Sequence, residues 1–286
     1  MRTIQTGAVF LDRAVVTMEL PSEDCEVIPG VTWGLVEAFP SPAYWAYQVL
    51  ARRLVGNTIV NKIGSTLREE VAACLLGGHG IPAHIGLLAF EHLKSHRVFQ
   101  GPSPSEASIY ALLSEPMPQG DKFVRYRFAK QKARYLHAAL TQLDAKDAPL
   151  SSGKALRDWL LAIPGIGPKT ASWIARNWLD ADDVAILDIH ILRAGHLGGF
   201  FDRDLTVERH YSELESQFLK FSAGLGVRAS ELDAVIWAEM MSSPGTVHEL
   251  LAMPDDAEQS GKSGQLRRGT DEHDANTGKA PAWVKH

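Results

Sequence analysis

The chain has only two cysteines, Cys25 and Cys74, far apart in sequence. That scarcity excludes a disulfide-stapled scaffold and any site held by four thiolates, an iron–sulfur cluster included. It suits a reducing compartment. Long apolar runs are missing as well: no stretch reaches the length that spans a bilayer. The apolar stretch near the N-terminus is interrupted by Asp12 and Arg13, so neither a membrane anchor nor a secretory signal is expected. Basic surplus is lacking too. The formal net charge of −5 argues mildly against a nucleic-acid partner, because phosphates favour a basic face. The eleven histidines include the pairs His79/His84, His92/His96 and His190/His196, none with an accompanying ligand set at a recognisable spacing. His92 and His96 stand i, i+4 on one helix but lack the Glu of a zinc-peptidase pattern. Gly77-Gly78-His79-Gly80 lacks the Lys-Ser/Thr that would make it a nucleotide loop. No metal and no cofactor is expected.

What is present is enough apolar residue, 45% of 286, to build a sizeable core in one or two lobes. Helical periodicity dominates from Pro42 onward, broken by proline and glycine near 101–104, 116–120, 198–199 and 243–245. Residues 7–20 alternate loosely through Ala8, Phe10, Ala14, Val16, Met18 and Leu20, which predicts a short hairpin. Beyond Pro254 the chain turns polar and poor in aliphatics, so residues 254–286 are expected to be disordered. Overall charge also hides a local concentration. Lys122, Arg125, Arg127, Lys130, Lys132 and Arg134 are opposed only by Asp121 and interleaved with Phe123, Tyr126, Phe128 and Tyr135. The sequence predicts a basic strip there, although any one of these side chains could equally cover apolar surface with its stem.

The densest information lies in Leu161–Ala194, LAIPGIGPKTASWIARNWLDADDVAILDIHILRA. Lys154–Ile163 reads as a short helix through Leu156, Trp159, Leu160 and Ile163, stopped by Pro164 and Gly165. Pro168 suits the first position of a second helix, which should run to Leu179. Its apolar stripe is Ala171, Ile174, Ala175 and Trp178; Lys169, Ser172, Trp173 and Arg176 share another face. Between the helices, Gly165-Ile166-Gly167 and the new helix start offer unpaired N–H groups, a ready site for a phosphate. By itself such a string is more often an ordinary tight connection. Lys169 falls in the first helical turn, where the macrodipole disfavours a cation and so favours the neutral amine that a nucleophile needs. Asp188, between the apolar Val184–Leu187 and the helix of Ile189–Leu197, reads as an N-cap.

Taken together, IPGIGPKTA and LDIH resemble the motif of the helix-hairpin-helix DNA glycosylases, which in bifunctional members runs L-P-G-[VI]-G-x-K-T-A and then [VL]-D-x-H. The resemblance implies that Lys169 attacks the sugar C1′ and that Asp188 stabilises developing positive charge and assists proton transfers. It covers residues 45–245, with 161–194 the specific part. Over that range EEVAACLLGGH (Glu69–His79) with Pro82–Leu93 looks like the family's helix-loop-helix, and Lys122–Leu143 looks like the helix before the hairpin. Two departures narrow the type. Four cysteines for a cluster are absent, and the segment before Pro42 is too short for the N-terminal β-rich domain of the larger oxidised-guanine enzymes. The chain therefore looks most like a compact bacterial or archaeal-type 8-oxoguanine glycosylase.

The expectations are these. The fold is all-α and two-lobed, with residues 1–68 and 184–253 forming one lobe and 69–183 a helical barrel lobe ending in the hairpin. Lys169 and Asp188 are catalytic; Gly165, Ile166, Gly167, Thr170, Arg125 and Lys130 hold phosphates; His79, Phe218 and Trp237 are candidates for the base gap or base pocket. The partner is double-stranded DNA carrying a damaged base, met by a monomer in the cytoplasm at the nucleoid. Excision of an oxidised pyrimidine, or a non-catalytic DNA-binding module, remains open as an alternative.

Overall fold

The computed structural model describes residues 4–56, 62–78 and 80–253. Two expectations, for His79 and for the 254–286 tail, therefore lie outside the described residues. The chain opens with β1 (Ile4–Leu11) and β2 (Ala14–Pro21), an antiparallel hairpin over the segment where the alternation predicted one. β3 (Glu26–Ile28) and β4 (Val31–Thr32) make a second, smaller ladder. Helices follow: α1 (Pro42–Val55), α2 (Leu67–Leu76), α3 (Ala83–Ser95) and α4 (Glu106–Ser114). After β5 (Met117–Gln119) and β6 (Lys122–Val124) come α5 (Ala129–Ala145), α6 (Gly153–Leu160), α7 (Pro168–Leu179), α8 (Ile189–Leu197), α9 (Val207–Leu225), α10 (Ala229–Ser242) and α11 (Pro244–Ala252). The fold is thus mostly helical, as expected, with three two-stranded ladders added among the described residues. Among the described residues no helix is long and apolar enough to cross a membrane.

Local chemistry sets the helix starts. Ser41 accepts the Tyr44 N–H at 3.0 Å ahead of Pro42, and Thr66 accepts the Glu69 N–H at 3.2 Å while the Glu69 carboxylate takes the Ser65 N–H. These are side-chain caps of the kind that satisfy orphan helix amides. One expectation fails here. Lys122–Leu143 is not one helix, because β6 pairs back on β5 through the two residues Gly120 and Asp121, and α5 begins only at Ala129. Gly120 has φ +58, the left-handed conformation that a two-residue hairpin turn demands and glycine adopts without strain.

Among the described residues, most of the buried apolar side chains gather in two clusters. One runs from Val71 to Val184 and is built by α2 to α7; the other joins Leu20, Val31, Trp33 and α1 to Ala185, Leu187 and α8 to α11. The chain passes between them at Val184 and Ala185, neighbours in sequence that are both fully buried but in different cores. Asp188 lies just after this crossing, and α7 lies just before it.

Candidate functional site

The hairpin is built as its residues dictate. Ser152 caps α6 by accepting the Ala155 N–H at 3.0 Å, and Gly165 turns the chain with φ +87. A side chain on Gly165 would also run into the Tyr135 ring of α5, so the position requires glycine twice over. Gly167 is different. Its φ of −95 suits any residue and the space beside it is open, so glycine is not needed there for the backbone. The Ile166 side chain is buried and its N–H donates to the Ile163 carbonyl at 3.1 Å, which takes this amide out of the set expected to face a phosphate. No side chain caps α7. The amides of Gly165, Gly167, Lys169 and Thr170 have no hydrogen-bond partner among the described residues. An uncapped helix start with its positive dipole end outward is an anion site.

From this first turn Lys169 reaches across the cluster boundary. Its Nζ lies 3.0 Å from Asp188 Oδ2. Asp188 caps α8 with its other oxygen, Oδ1 accepting the N–H groups of His190 at 2.9 Å and Ile191 at 3.3 Å. One carboxylate thus divides its work between holding a helix and meeting an amine. The lysine is half exposed while the aspartate is mostly covered.

What fixes Asp188 is a set of residues that sequence reasoning missed. Glu215 of α9 and Asp233 of α10 are buried acids, and each takes a backbone N–H of the crossing segment: Ala185 to Glu215 Oε1 at 3.1 Å, Ile186 to Asp233 Oδ2 at 3.1 Å. Tyr211 completes the clamp, its hydroxyl donating to the Ala185 carbonyl at 2.7 Å and accepting the Leu187 N–H at 3.2 Å. The same two acids grip the hairpin. Arg157 of α6 reaches Glu215 at 2.9 Å, Ser172 of α7 lies 3.4 Å from it, and Arg176 of α7 pairs with Asp233. Ser172 and Arg176, which share the non-apolar face with Lys169, therefore point into the second cluster and not into solvent. Desolvation pushes the Asp233 carboxyl up to about 6 even though the Arg176 guanidinium draws it down. A signal existed in the sequence: Asp233 stands on the stripe of Ala229, Ile236 and Met240, an acid where helical spacing calls for an apolar residue.

The remaining candidates separate. Phe218 is fully buried among Phe200 and Phe201, its ring centroid 6.3 Å and 6.4 Å from theirs, which makes it core and removes it from the base-pocket candidates. Trp237 is half-buried and meets His190 edge-on at 6.4 Å, beside Asp188. Burial lowers the His190 imidazole below its ordinary range, with Arg193 and Lys169 adding to the effect and Asp188 opposing it. In the basic strip Lys122, Arg125, Arg127, Lys130 and Arg134 are exposed. Lys132 is not available in the same way: its Nζ donates to the carbonyls of Leu75 at 2.6 Å and Gly77 at 2.9 Å, finishing α2.

With this geometry in place, likeness to known proteins becomes informative. A family model described as 8-oxoguanine DNA glycosylase (Ogg-HhH) matches residues 58–227. The 8-oxoguanine DNA glycosylase/AP lyase of Methanocaldococcus jannaschii is 34% identical over 128 residues, 43% of this chain and 61% of that protein. Its namesake in Thermoplasma acidophilum is 31% identical over 119 residues, 40% of this chain and 57% of that protein. The chain thus spans about three fifths of the length of these curated relatives. The crystal structure of the 8-oxoguanine DNA glycosylase of Thermotoga maritima shares the fold, with a TM-score of 0.52 at 22% identity over 69% of this chain and 96% of that one. Since the matched segment takes in α2 to α9, the hairpin, Lys169 and Asp188, the chain belongs to the 8-oxoguanine DNA glycosylase family of the helix-hairpin-helix type.

Proposed function

We propose that the chain is a bifunctional DNA glycosylase and AP lyase that removes 8-oxoguanine from double-stranded DNA, acting as a monomer at the nucleoid. The observation that carries the reading is the 3.0 Å approach of a half-exposed Lys169 amine to Asp188 at an uncapped helix start. Phosphate binding alone requires neither residue. In this reading the two buried clusters are two lobes, and the damaged nucleotide leaves the duplex, at a cost of a few kcal/mol, to enter the cleft between them.

The chemistry follows from the pair. Loss of a proton from Lys169 to water exposes the nitrogen lone pair and leaves Asp188 ionised. That pair attacks C1′, the C1′–N bond breaks, and its electrons leave with the base, which takes up a proton. The Asp188 carboxylate offsets positive charge building at C1′. Opening of the sugar ring then leaves an imine between Lys169 and C1′. Proton removal from C2′ eliminates the 3′ phosphate, which is the lyase step. Gly165, Gly167 and Thr170 hold a backbone phosphate by their amides, with Arg125 and Lys130 as further contacts.

Borohydride added during turnover of an 8-oxoguanine duplex should link protein to DNA, and Lys169→Gln should abolish the adduct. Robust trapping by that variant would move the nucleophile elsewhere. A panel of duplexes carrying 8-oxoguanine, thymine glycol, uracil or an alkylated purine tests the base. Cleavage of thymine glycol with 8-oxoguanine spared would replace the purine reading by the pyrimidine one.

A further inference from the structure

Away from Lys169 and Asp188, the structure gathers three ligating side chains that the sequence keeps apart. His92 lies in the last turn of α3, His96 is its C-cap, and Glu115 is the C-cap of α4. The imidazole centroids are 4.6 Å apart, and His92 Nε2 lies 3.3 Å from Glu115 Oε2. One ligand atom from each of the three lies within 4.8 Å of the other two. We infer that His92, His96 and Glu115 form a binding site for a divalent transition metal of the zinc class, clipping the end of α3 to the end of α4.

Three independent features favour a cation there. First, His92 Nε2 is buried and makes no hydrogen bond, its 3.3 Å approach to Glu115 Oε2 lacking the alignment of one. Buried polar atoms are nearly always satisfied, and an unmet one calls for a water or an ion. Second, His96 Nδ1 sits 2.9 Å from the His92 carbonyl, which can only accept, so Nδ1 is the donor and Nε2 is the nitrogen that the neutral ring would offer to a metal. A carbonyl that fixes the tautomer in this way is the usual second partner of a metal-bound histidine. Third, two helices end at the same place, and the negative ends of both dipoles favour positive charge. Lys94 is turned to Glu69 at 3.0 Å, and Arg125 meets the end of α4 only through a long 3.4 Å bond to the Ser114 carbonyl.

The donor set decides the metal. Two imidazoles and one carboxylate suit zinc and its neighbours, whereas magnesium and calcium demand oxygen. Donors around a tetrahedral zinc stand about 3.3 Å apart, given bonds of about 2 Å. Glu115 is half exposed and can swing in to close the set. Three protein ligands leave the fourth position to water.

The test titrates zinc ion into the full chain by calorimetry, with magnesium ion as control, and follows the thermal midpoint alongside. The expected result is one saturable zinc per chain, no magnesium binding, and a midpoint that rises with zinc concentration, as for any ligand of the folded state. His96→Ala and Glu115→Gln, both at exposed positions, should each weaken zinc about tenfold or more, the range seen when a metal site loses a supporting group. The double variant should melt like the parent without zinc and show no zinc-dependent rise. Borohydride trapping by the double variant should match the parent, which separates this site from the proposed catalytic pair. No saturable binding to the parent would overturn the inference. So would one zinc per chain retained by the double variant, which would place the metal elsewhere.

Discussion

Helix α7 carries two cations, Lys169 in its first turn and Arg176 two turns on, and each meets an aspartate from beyond the hairpin. The two pairs differ chiefly in their access to water. Arg176 and Asp233 retain 9% and 2% of their side-chain exposure, Lys169 and Asp188 46% and 13%. Removing one partner of a buried pair leaves an uncompensated charge and costs about 3–5 kcal/mol, whereas an exposed pair contributes about 0–1 kcal/mol. The same chemistry therefore serves as a rivet at one end of the helix and, in the function proposed, stays free to react at the other. A nucleophile must be able to leave its partner; a rivet must not.

That contrast can be broken or sharpened in steps. The largest effect should come from Asp188→Asn, which keeps a capping side chain but removes the charge facing Lys169. Base excision in single-turnover assays should fall by about 10²–10⁴, the range for a positioned acid or base, while the urea midpoint stays near that of the parent. Undiminished excision would reduce Asp188 to a helix cap. Asp233→Ala should do the opposite, lowering unfolding free energy by about 3–5 kcal/mol in urea titration because Arg176 and the Ile186 N–H lose their partner. A stability loss confined to the exposed-pair range would show that the buried pair is no rivet.

Next come the hairpin glycines. Gly165→Ala places a methyl against Tyr135 at φ +87 and should cost at least about 1–2 kcal/mol. Gly167→Ala should leave the thermal midpoint unchanged yet weaken binding to undamaged duplex, since its Cβ meets only open space that a phosphate would fill. Equal duplex affinity in Gly167→Ala and parent would make the loop only a turn.

The smallest effect concerns His190. Burial lowers its folded pKa below 6.5, so the unfolded chain takes up this proton first as pH falls. Its contribution is present above pH 6.5 and is lost as pH drops from there toward the lowered folded value. The midpoint difference between parent and His190→Gln should be flat above that pH and should change below it. A flat difference throughout would show that His190 titrates alike in both states.

The hairpin was legible because proline and glycine act locally: Pro164, Gly165 and Pro168 end one helix and start the next whatever surrounds them. Lys169 and Asp188 were legible through spacing along one short segment. Helical period showed that Ser172 and Arg176 leave the apolar stripe of α7, but periodicity cannot reveal a second core waiting on that side. Glu215 and Asp233 lie far along the chain, and only the folded arrangement of α9 and α10 gives their charges a partner. Lys132 was miscast for a related reason. Composition marks it as one of a basic strip, while its stem length and the end of α2 decide that it meets carbonyls.

One consequence bears on engineering. Helix-hairpin-helix units invite use as cassettes, cut from one protein and grafted onto another to confer grip on DNA. Here the α6–α7 unit would travel with Arg157, Ser172 and Arg176 facing acids left behind on α9 and α10. Its loop would also lose the Tyr135 ring that backs Gly165. A graft of residues 153–179 alone would carry two stranded cations on the face meant for packing. A recipient would have to offer two acids at matching places, or the arginines would have to be rewritten as apolar residues of like size. The hairpin of this protein is not a module but one half of a joint.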